Sequence, residues 1–464
     1  MQIARIVALT RTALVMDRVL FRNRRELWRE IELLNRVTLC IQRSLSAAQS
    51  KPMATTRRGT KRGAASDENV FPMFNKKKAT QSAAVKGKWT SIANELLVFN
   101  PDKHRASEKV AGFDLDFTLI ATKSGRTFPV DFNDWKLWHD SIPDKLKKAH
   151  EDGFKIVIFT NQKGIQTGQV KDSDFKKKAQ NIVALFDFPV QVFVSMGPPT
   201  FRKPYVGMWD HMEQNYNDGI PVNRAASIYV GDAAGRQKTK LRKKDHSNGD
   251  RLFALNLGVN FLTPEQYFLN QKADDEFSMP IFVPSKAIER DVKLFEPETE
   301  FGNSSPEMLV FVGTPGSGKS TIAKNLCKKY DYAYVNRDTL KTWQACVSAA
   351  DGFLKEKRSV VIDNTNPDKD TRSRYVEIAK KHKVPCRCFV MSTTPEHSKH
   401  NAVYRTLMNP AHEHIPRIAF NIFKGKYEEP QKSEGFSEII KANFAPEFED
   451  DESRRVYSYY LLDS

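Results

Sequence analysis

Cysteine is scarce in this chain, whose 464 residues include five cysteines and no Cys-X-X-Cys pair. Such usage is typical of a protein from a reducing compartment, where disulfides are rare. Cys386 and Cys388 lie in an apolar run, and we interpret them as strand residues rather than as metal ligands. Long apolar runs are also lacking, since charged residues interrupt even the apolar stretch of residues 3–20. We therefore predict no transmembrane helix and no membrane partner.

Acidic residues are sparse near the N-terminus, where the basic charge of the chain is concentrated. The net charge is +17, and residues 1–90 hold 19 Lys and Arg against six Asp and Glu. A basic arm of this kind indicates contact with a nucleic acid or an import signal. The alternative is a solvated tail without a partner.

The arm divides into two parts. Residues 1–50 have an Arg-rich helical pattern whose start is typical of a mitochondrial presequence, followed by acids that weaken this pattern. Residues 50–88 are polar and carry clusters of Lys and Arg, which predicts a disordered linker with nuclear-import-like signals. We expect a nuclear protein, with a mitochondrial form if translation starts at Met1 rather than at Met53.

Beyond residue 90, short apolar runs alternate with longer amphipathic segments, which predicts parallel α/β architecture. Two such blocks are separated by a stretch rich in Pro, Glu and Ser. The predicted fold is α/β, with two Rossmann-like parallel-sheet domains after a basic, largely disordered arm. The predicted divisions are 1–88 for the arm, 89–278 for the first domain, 279–306 for a connector and 307–464 for the second domain.

Two aspartates follow the first apolar run of the first domain, residues 110–113. Alternation along a strand would turn Asp114 and Asp116 to the same side. Two like charges in one site are costly unless a cation lies between them or one carboxyl group holds a proton. Magnesium would meet this need, since it prefers oxygen ligands and neutralises a phosphate substrate.

Three later strand ends of the first domain carry partners for these acids. One predicted strand leads into Thr160, Asn161 and Gln162, whose polar side chains suit phosphoryl oxygens. Arg202 and Lys203 bring cations, and Asp232 supplies a third carboxylate. Because ligands of open α/β sheets gather beyond the carboxyl ends of the strands, we expect these side chains in one site. The alternative, two acids on an exposed strand, does not explain the other three clusters.

The motifs DLDFT, TNQ, RKP and GDAAGR, in this order, resemble those of the haloacid-dehalogenase superfamily of phosphatases. The resemblance implies that Asp114 attacks phosphorus to form an aspartyl-phosphate, while Asp116 protonates the leaving oxygen and then activates water. The implied residues around the phosphoryl group are Thr118, Thr160, Asn161, Arg202 and Lys203. The implied magnesium ligands are Asp114, Asp232 and the backbone carbonyl of Asp116. Phe117 departs from the pattern, since the superfamily commonly has glycine there.

The second domain opens with an apolar run followed by GTPGSGKS, which fits the P-loop pattern GxxxxGK[ST] in full. In such a loop the glycines let backbone N–H groups surround phosphates, Lys319 reaches the β and γ oxygens, and Ser320 binds magnesium. The sequence therefore predicts a site for a nucleoside triphosphate. Its predicted residues are Gly313, Thr314, Pro315, Gly316, Ser317, Gly318, Lys319 and Ser320.

Two carboxylates follow the next predicted strands of the second domain. Asp338 is placed to take the proton of an acceptor hydroxyl, which is the role of the base in phosphoryl-transfer enzymes. The alternative for Asp338 is a helix N-cap before Thr339, and both roles could hold together. Asp363 follows a later strand and resembles a Walker-B acid that would contribute to the ATP site.

Taken in order, all these motifs resemble the animal polynucleotide kinase 3′-phosphatase family, from about residue 90 to the end of the chain. The resemblance implies an enzyme that removes 3′-phosphates from DNA ends and phosphorylates 5′-hydroxyls with ATP, using Mg²⁺ as cofactor. It places Arg405 among lid residues over ATP, and it implies a monomer with repair scaffold and ligase proteins as partners. Vertebrate members begin with a forkhead-associated domain, but residues 1–90 lack its succession of strand patterns. The sequence therefore does not support recruitment by a phosphopeptide.

Two other functions stay open at this point. The two domains could act on a small metabolite, as bifunctional sugar kinase/phosphatases do, although the basic arm and the family-like stretches argue against this. One domain could instead be a catalytically inactive scaffold. Every expected catalytic position is filled, which argues against an inactive domain.

Overall fold

The structure is a computed structural model that describes residues 85–463 except 198, 240–241, 274–275, 290–291, 303–304, 410 and 413. Residues 1–84, which include the presequence-like part and the import-like clusters of the predicted arm, lie outside the described residues. All described residues belong to one compact unit. None of the helices in this described part is both long and apolar enough to span a membrane.

The first domain is built on one large sheet and a small two-stranded ribbon. Its strands are β1 (Gly87–Ile92), β2 (Leu96–Pro101), β3 (Val110–Phe113), β4 (Ile120–Ala121), β5 (Lys136–Leu137), β6 (Lys155–Asn161), β7 (Val190–Ser195), β8 (Ile228–Val230) and β9 (Asn260–Leu262). The large sheet has the order β1-β2-β7-β6-β3-β8-β9, and β4 pairs with β5. Strands β7, β6, β3, β8 and β9 are parallel, whereas β1 and β2 are antiparallel additions at one edge.

Helices cover both faces of the first sheet. They are α1 (Ile142–Glu151), α2 (Lys163–Gln166), α3 (Asp172–Val183), α4 (Gly207–Asn215), α5 (Gly249–Leu257) and α6 (Pro264–Leu269). Every residue of β3 is buried, as expected for a parallel strand covered on both sides. Alternate residues of this strand contribute to two separate apolar clusters, Ala111 and Phe113 to one and Val110 to the other. The strand that carries the predicted nucleophile at its end is therefore held rigidly in the centre of the domain.

The second domain has a six-stranded sheet. Its strands are β10 (Phe295–Glu296), β11 (Met308–Val312), β12 (Ala333–Val335), β13 (Val360–Ile362), β14 (Cys386–Met391) and β15 (Glu438–Ala442). Their order is β10-β15-β14-β11-β13-β12, and all pairs are parallel except β10 with β15. The helices from the connector onward are α7 (Pro284–Ile288), α8 (Lys319–Tyr330), α9 (Arg337–Leu340), α10 (Trp343–Lys355), α11 (Lys369–His382), α12 (Pro395–Met408), α13 (Arg417–Lys426) and α14 (Asp451–Ser458).

The predicted α/β fold with two mainly parallel sheets is confirmed. Cys386 and Cys388 are buried residues of β14, as expected for strand residues. The antiparallel strands at the sheet edges were not predicted. Strands β1 and β10 pair on one side only and lack the buried apolar run by which a central strand is recognised. Strand β2 has such a run, but an apolar run does not give the direction of the strand.

The predicted divisions of the chain differ from the packing at three points. The division at residue 88 falls inside β1, and the connector contributes β10 to the second sheet. Tyr459 and Leu461, at the end of the chain, are buried in an apolar cluster of the first domain. The second domain therefore contributes a segment to the core of the first, which a division of the sequence into consecutive blocks does not capture.

Candidate active sites

The carboxyl ends of neighbouring strands in the first sheet bring the predicted phosphatase residues together. Asp114 directly follows β3, and its N–H group donates to the carbonyl of Val230 in β8 at 2.9 Å. Asp232 lies two residues beyond that carbonyl, and β6 ends at Asn161 on the other side of β3. The site is thus fixed by strand order.

Three carboxylates meet one buried ammonium group at this edge. Asp114, Asp232 and Asp250 each have an oxygen within 4.8 Å of the others. The Lys203 ammonium lies 2.6 Å from Asp114 Oδ1, 2.7 Å from Asp250 Oδ1 and 2.7 Å from the hydroxyl of Tyr229. Only 4% of the Lys203 side chain is exposed, so solvent screens these charges little.

The proximity of these acids shifts their proton affinities. Burial raises the pKa of Asp114 to about 7, although Lys203 lowers it. Burial and the neighbouring Asp114 raise the pKa of Asp232 well above its ordinary value. Burial lowers the pKa of Lys203, but Asp114 and Asp250 more than offset this and leave it above its ordinary value. The site therefore holds more negative charge than one ammonium group can balance.

This donor set fits magnesium. Carboxylate oxygens are the ligands that Mg²⁺ prefers, and a divalent cation would offset the repulsion that raises the pKa values of Asp114 and Asp232. Asp250 also accepts from Lys203, from Tyr229 and from the backbone of Ala233. With these bonds, Asp250 is suited to orient Lys203 as well as to add charge to the cation site.

The side chain of Asp116 lies outside that group of three carboxylates. Gln162 Nε2 donates to Asp116 Oδ2 at 2.6 Å, and Lys178 Nζ lies 3.3 Å from Asp116 Oδ1. The side chain remains 41% exposed, so a substrate oxygen or a water molecule can approach it. This separation suits an acid and base that moves a proton while Asp114 acts as the nucleophile. The separation is compatible with the prediction that Asp116 contributes its backbone carbonyl, rather than its side chain, to the cation.

The residues predicted to bind phosphate have different surroundings. The Thr118 hydroxyl is fully buried and accepts from the backbone N–H of Asp232 at 3.0 Å. Asn161 bonds to the backbone N–H and carbonyl of Lys203 at 3.1 and 3.2 Å, and Thr160 accepts from Gln162 at 3.0 Å. In this structure they brace catalytic groups, and their direct contact with phosphate stays a prediction. Arg202 is half-buried next to Lys203, and its role also stays a prediction.

Sequence reasoning missed several residues of this site. Asp250 and Tyr229 contact Lys203, while Gln162 and Lys178 hold Asp116. Gln162 belongs to the TNQ motif, whose side chains were predicted to meet phosphoryl oxygens, and only its contact with Asp116 was not predicted. Lys178 lies on the buried side of the amphipathic helix α3, at helical spacing from Phe175 and Ile182, and this pattern could have distinguished it from the other lysines of that helix.

The second candidate site is the loop between β11 and α8. Gly316 and Gly318 have φ values of 76° and 98°, a region that favours glycine, and Gly318 is the N-cap of α8. The Lys319 ammonium is enclosed by the loop and donates to the carbonyls of Gly313 and Thr314 at 2.8 Å each. The predicted P-loop thus forms a compact cradle with its lysine inside.

Three charged residues predicted for this site act on Lys319. Burial lowers the pKa of Lys319 to about 8, while Asp363 and Asp338 raise it and Arg405 lowers it. The charges of all three residues therefore act on Lys319, and their direct contact with a nucleotide stays a prediction. Asp363 is buried and its Oδ2 accepts from the hydroxyl of Tyr334, which also bonds to the hydroxyl of Ser320. A carboxylate and a serine hydroxyl therefore lie together at the start of α8, as a magnesium-nucleotide site requires.

Asp338 is not the N-cap of its helix, so that alternative is wrong. The N-cap of α9 is Asn336, whose side-chain oxygen accepts from the N–H groups of Asp338 and Thr339 at 2.8 and 3.3 Å. The Asp338 side chain is exposed next to the P-loop centre. It is therefore free of a capping role and is accessible to an acceptor hydroxyl.

One large cavity in the described part of the chain lies elsewhere. It has a volume of about 1060 Å³ and is lined by residues of both domains, including His246, Phe282, Lys399 and Tyr460. None of its lining residues is a predicted catalytic or P-loop residue. The chemistry is better located by the convergence of charged groups at the two sheet edges than by cavity size.

The folds and the two centres define a class of protein, a haloacid-dehalogenase-type phosphatase joined to a P-loop kinase. The family described as polynucleotide kinase 3 phosphatase matches residues 109–268, and an AAA domain matches residues 339–430. A bifunctional polynucleotide phosphatase/kinase of Schizosaccharomyces pombe is 37% identical over 354 residues, which cover 76% of this chain and 84% of the relative. The chain therefore belongs to the family of bifunctional polynucleotide phosphatase/kinases.

Two further relatives are similar to different shares of the chain. A putative bifunctional polynucleotide phosphatase/kinase of Acanthamoeba polyphaga mimivirus is 32% identical over 374 residues, 75% of this chain and 87% of the relative. A polynucleotide 3′-phosphatase of Arabidopsis thaliana is 36% identical over 197 residues, 39% of this chain and 27% of the relative. The protein is thus an enzyme with a phosphatase domain followed by a kinase domain.

Proposed function

We propose that this enzyme prepares DNA strand breaks for ligation by removing 3′-phosphates and by transferring the γ-phosphoryl group of ATP to 5′-hydroxyls. The observation that carries the proposal is the pairing of two complete centres in one chain. Phosphate removal is supported by Asp114 paired with Lys203, with Asp116 held separately. Transfer to a hydroxyl is supported by Lys319 in the P-loop and by Asp338, which does not cap its helix. The names of the relatives, which act on polynucleotides, support the substrate class.

The 3′-phosphatase step follows from the positions of the two aspartates. An oxygen of Asp114 attacks phosphorus, the bond from phosphorus to the 3′ oxygen breaks, and Asp116 donates its proton to that oxygen. Asp116 then takes a proton from water, whose oxygen attacks the aspartyl-phosphate and releases inorganic phosphate. Lys203 holds Asp114 in place at 2.6 Å and balances negative charge. A magnesium ion bound by the carboxylates would neutralise the phosphoryl oxygens.

The 5′-kinase step uses the exposed carboxylate next to the P-loop. Asp338 accepts the proton of the 5′-hydroxyl while the hydroxyl oxygen bonds to the γ-phosphorus of ATP and ADP leaves. Lys319 stabilises the phosphate oxygens, and Arg405 lies close enough to act on the charge of Lys319. Ser320 and Asp363 would hold magnesium with the nucleotide.

A single substrate tests both activities. The purified enzyme is incubated with magnesium, ATP and a nicked duplex that carries a 3′-phosphate and a 5′-hydroxyl, and both ends are followed by labelled strands. Asp114→Ala should abolish 3′-dephosphorylation and spare 5′-phosphorylation, whereas Lys319→Ala should do the reverse. Loss of both activities in one folded variant would contradict the proposal of two independent centres.

The same assay addresses the remaining predictions about substrate and partners. A panel of sugar phosphates and sugars is the comparison, and turnover of these without turnover of either DNA end would indicate a metabolite enzyme. The predicted nuclear location, the mitochondrial form from Met1, and repair scaffold and ligase partners belong to this proposal. Tagged chains that start at Met1 and at Met53 would test the location, with a mitochondrial signal expected only from the longer form.

A further inference from the structure

The C-terminal segment after β15 contacts both domains. Helix α14 packs against α12 of the kinase domain and against α7 of the connector. The chain then leaves α14, and Tyr459 and Leu461 enter an apolar cluster of the phosphatase domain, where 9% and 6% of these residues remain exposed. We call residues 459–463 the C-terminal tail. Burial of this kind makes the tail part of the phosphatase core although it follows the kinase domain in sequence.

One phosphatase side chain fastens the tail. Asn256 in α5 accepts from the N–H of Tyr460 and donates to the carbonyl of Tyr460, both at 2.8 Å. The same amide donates to the carbonyl of Pro204 at 2.8 Å, and Pro204 directly follows Lys203. The tail is therefore docked by a two-way amide contact beside the segment that carries the phosphatase lysine.

On the other side of α14, Tyr457 reaches the P-loop through Asn401. The Tyr457 hydroxyl lies 2.8 Å from Asn401 Oδ1, and Asn401 Nδ2 donates to the carbonyl of Gly316 at 3.0 Å. Because Asn401 uses its amide N–H for Gly316, its oxygen must accept, and the single proton of Tyr457 must be donated to it. His397 Nε2, 2.6 Å from the Tyr457 oxygen, then donates to that oxygen. The hydrogen bonds run in one direction from His397 to the Asn401 oxygen.

Tyr457 also supports the P-loop through an aromatic ring. Its ring is stacked on Phe444, with centroids 6.4 Å apart and planes 9° apart. A Cβ atom at Gly318 would lie 2.7 Å from the Phe444 ring, and one at Gly316 would lie 2.3 Å from the carbonyl of Ser398 in α12. Gly318 therefore packs against Phe444, on which the Tyr457 ring is stacked. Gly316 packs against α12, the helix that carries Asn401.

We propose that Tyr457 and Asn401 are positioning residues of the kinase, which hold the P-loop in its ATP-binding conformation while the C-terminal tail is docked on the phosphatase domain. This inference rests on the proposed ATP-dependent kinase activity. Asn401 fixes the peptide plane that follows Gly316, and Phe444 limits the movement of Gly318. The docked tail holds α14, and with it Tyr457, at the P-loop. ATP binding in one domain thus depends on a contact made by the other.

The first test is the affinity for ATP in Tyr457→Phe, which removes one hydroxyl and keeps the ring. A buried Asn401 oxygen loses its donor, and we expect the dissociation constant and the KM for ATP to rise about tenfold with kcat nearly unchanged. The control is Tyr427→Phe, whose ring packs against Phe423 at the end of α13. It should bind ATP as the unaltered enzyme does. Phosphatase activity of each variant reports that the chain is folded.

The second test separates docking from the hydrogen bonds at the P-loop. A chain that ends at Ser458 keeps α14 and Tyr457 but lacks the tail. It should also bind ATP more weakly than the unaltered enzyme. The hydrogen bond from Asn256 to the carbonyl of Pro204 does not involve the tail and should remain. Direct titration with magnesium-ATP gives this result without any acceptor. Unchanged ATP affinity in either variant, or equal losses of kinase and phosphatase activity, would overturn the proposal. Normal ATP binding by the unaltered enzyme without phosphorylation of any DNA end would instead contradict the proposed function.

Discussion

The phosphatase centre and the P-loop centre both handle phosphoryl groups, but they are built from different parts of the chain. In the phosphatase centre, Asp114, Lys203, Asp232 and Asp250 come from separate segments and meet as side chains, all buried except the partly exposed Asp232. In the P-loop centre, Gly313 and Thr314 supply backbone carbonyls to Lys319 from within one run of eight consecutive residues. The first depends on attraction and repulsion between side-chain charges, and the second depends on the conformation of a short loop.

This difference determines what each centre needs from the rest of the molecule. In the phosphatase centre a single ammonium group already faces more than one carboxylate, so removal of Lys203 leaves Asp114 and Asp250 without a cation in a buried site. The P-loop has few internal side-chain contacts and is held from outside, by Thr393 on the carbonyl of Ser317 at 2.9 Å and by Asn401 on that of Gly316. Substitutions in the phosphatase centre should therefore lower the stability of the fold. Substitutions around the P-loop should mainly change the position of the loop.

The largest contrast is expected from the same substitution in both centres. Lys203→Met leaves Asp114 and Asp250 without their cation and should lower the free energy of unfolding by about 3–5 kcal/mol. Lys319→Met removes bonds to backbone carbonyls and should cost about 1 kcal/mol. Thermal and urea unfolding measure both, and each variant should lose the activity of its own domain. Equal losses of stability would remove the distinction drawn between the centres.

The next largest effect is expected on the rate of catalysis, with no change in stability. Asp338→Asn should slow 5′-phosphorylation by about 10²- to 10⁴-fold, because the carboxylate is the proposed base. The N-cap of α9 is Asn336, so the melting temperature should not change. ATP affinity and 3′-phosphatase activity should also be unaltered. Normal kinase turnover in this variant would shift the base role to Asp363 or to the substrate.

A smaller loss is expected from Asp250→Asn in the phosphatase centre. The side chain keeps its shape but loses the charge that pairs with Lys203 at 2.7 Å, and groups that orient catalytic residues typically contribute about 10- to 100-fold. Initial rates of 3′-dephosphorylation at several magnesium concentrations would measure it. Asp210→Asn, in a carboxylate that pairs with Arg224 away from the centre, is the matched control. Similar rates for both variants would show that Asp250 is dispensable.

The smallest effect on turnover is expected from removal of residues 1–84. The cut precedes β1, which begins at Gly87, and it spares Val85, which packs against the first core. Turnover of short oligonucleotides at saturation should be unchanged, whereas affinity for DNA should fall at low salt and its salt dependence should weaken. Electrophoretic mobility shifts at several salt concentrations give both quantities. A lower saturated rate would show that the arm helps to form a site.

The sequence by itself determined the class of fold and the principal residues of both centres. Parallel strands in a sheet covered on both faces must be apolar throughout, so β3 and β11 are recognisable as runs, and the polar residues after them stand out. The P-loop is readable because its eight residues are consecutive and need glycine for positive φ at Gly316 and Gly318. Strand order then places Asp114 beside Asp232.

Only the tertiary structure decided which other residues join the centres and how the domains connect. Asp250 and Lys178 reach their partners from helices, and the packing of these helices on the sheet determines which groups the two side chains meet. The C-terminal tail joins the phosphatase core because Asn256 and an apolar cluster receive it there. Such contacts join residues far apart in sequence, and their free energy depends on a complementary surface that forms only when the chain folds.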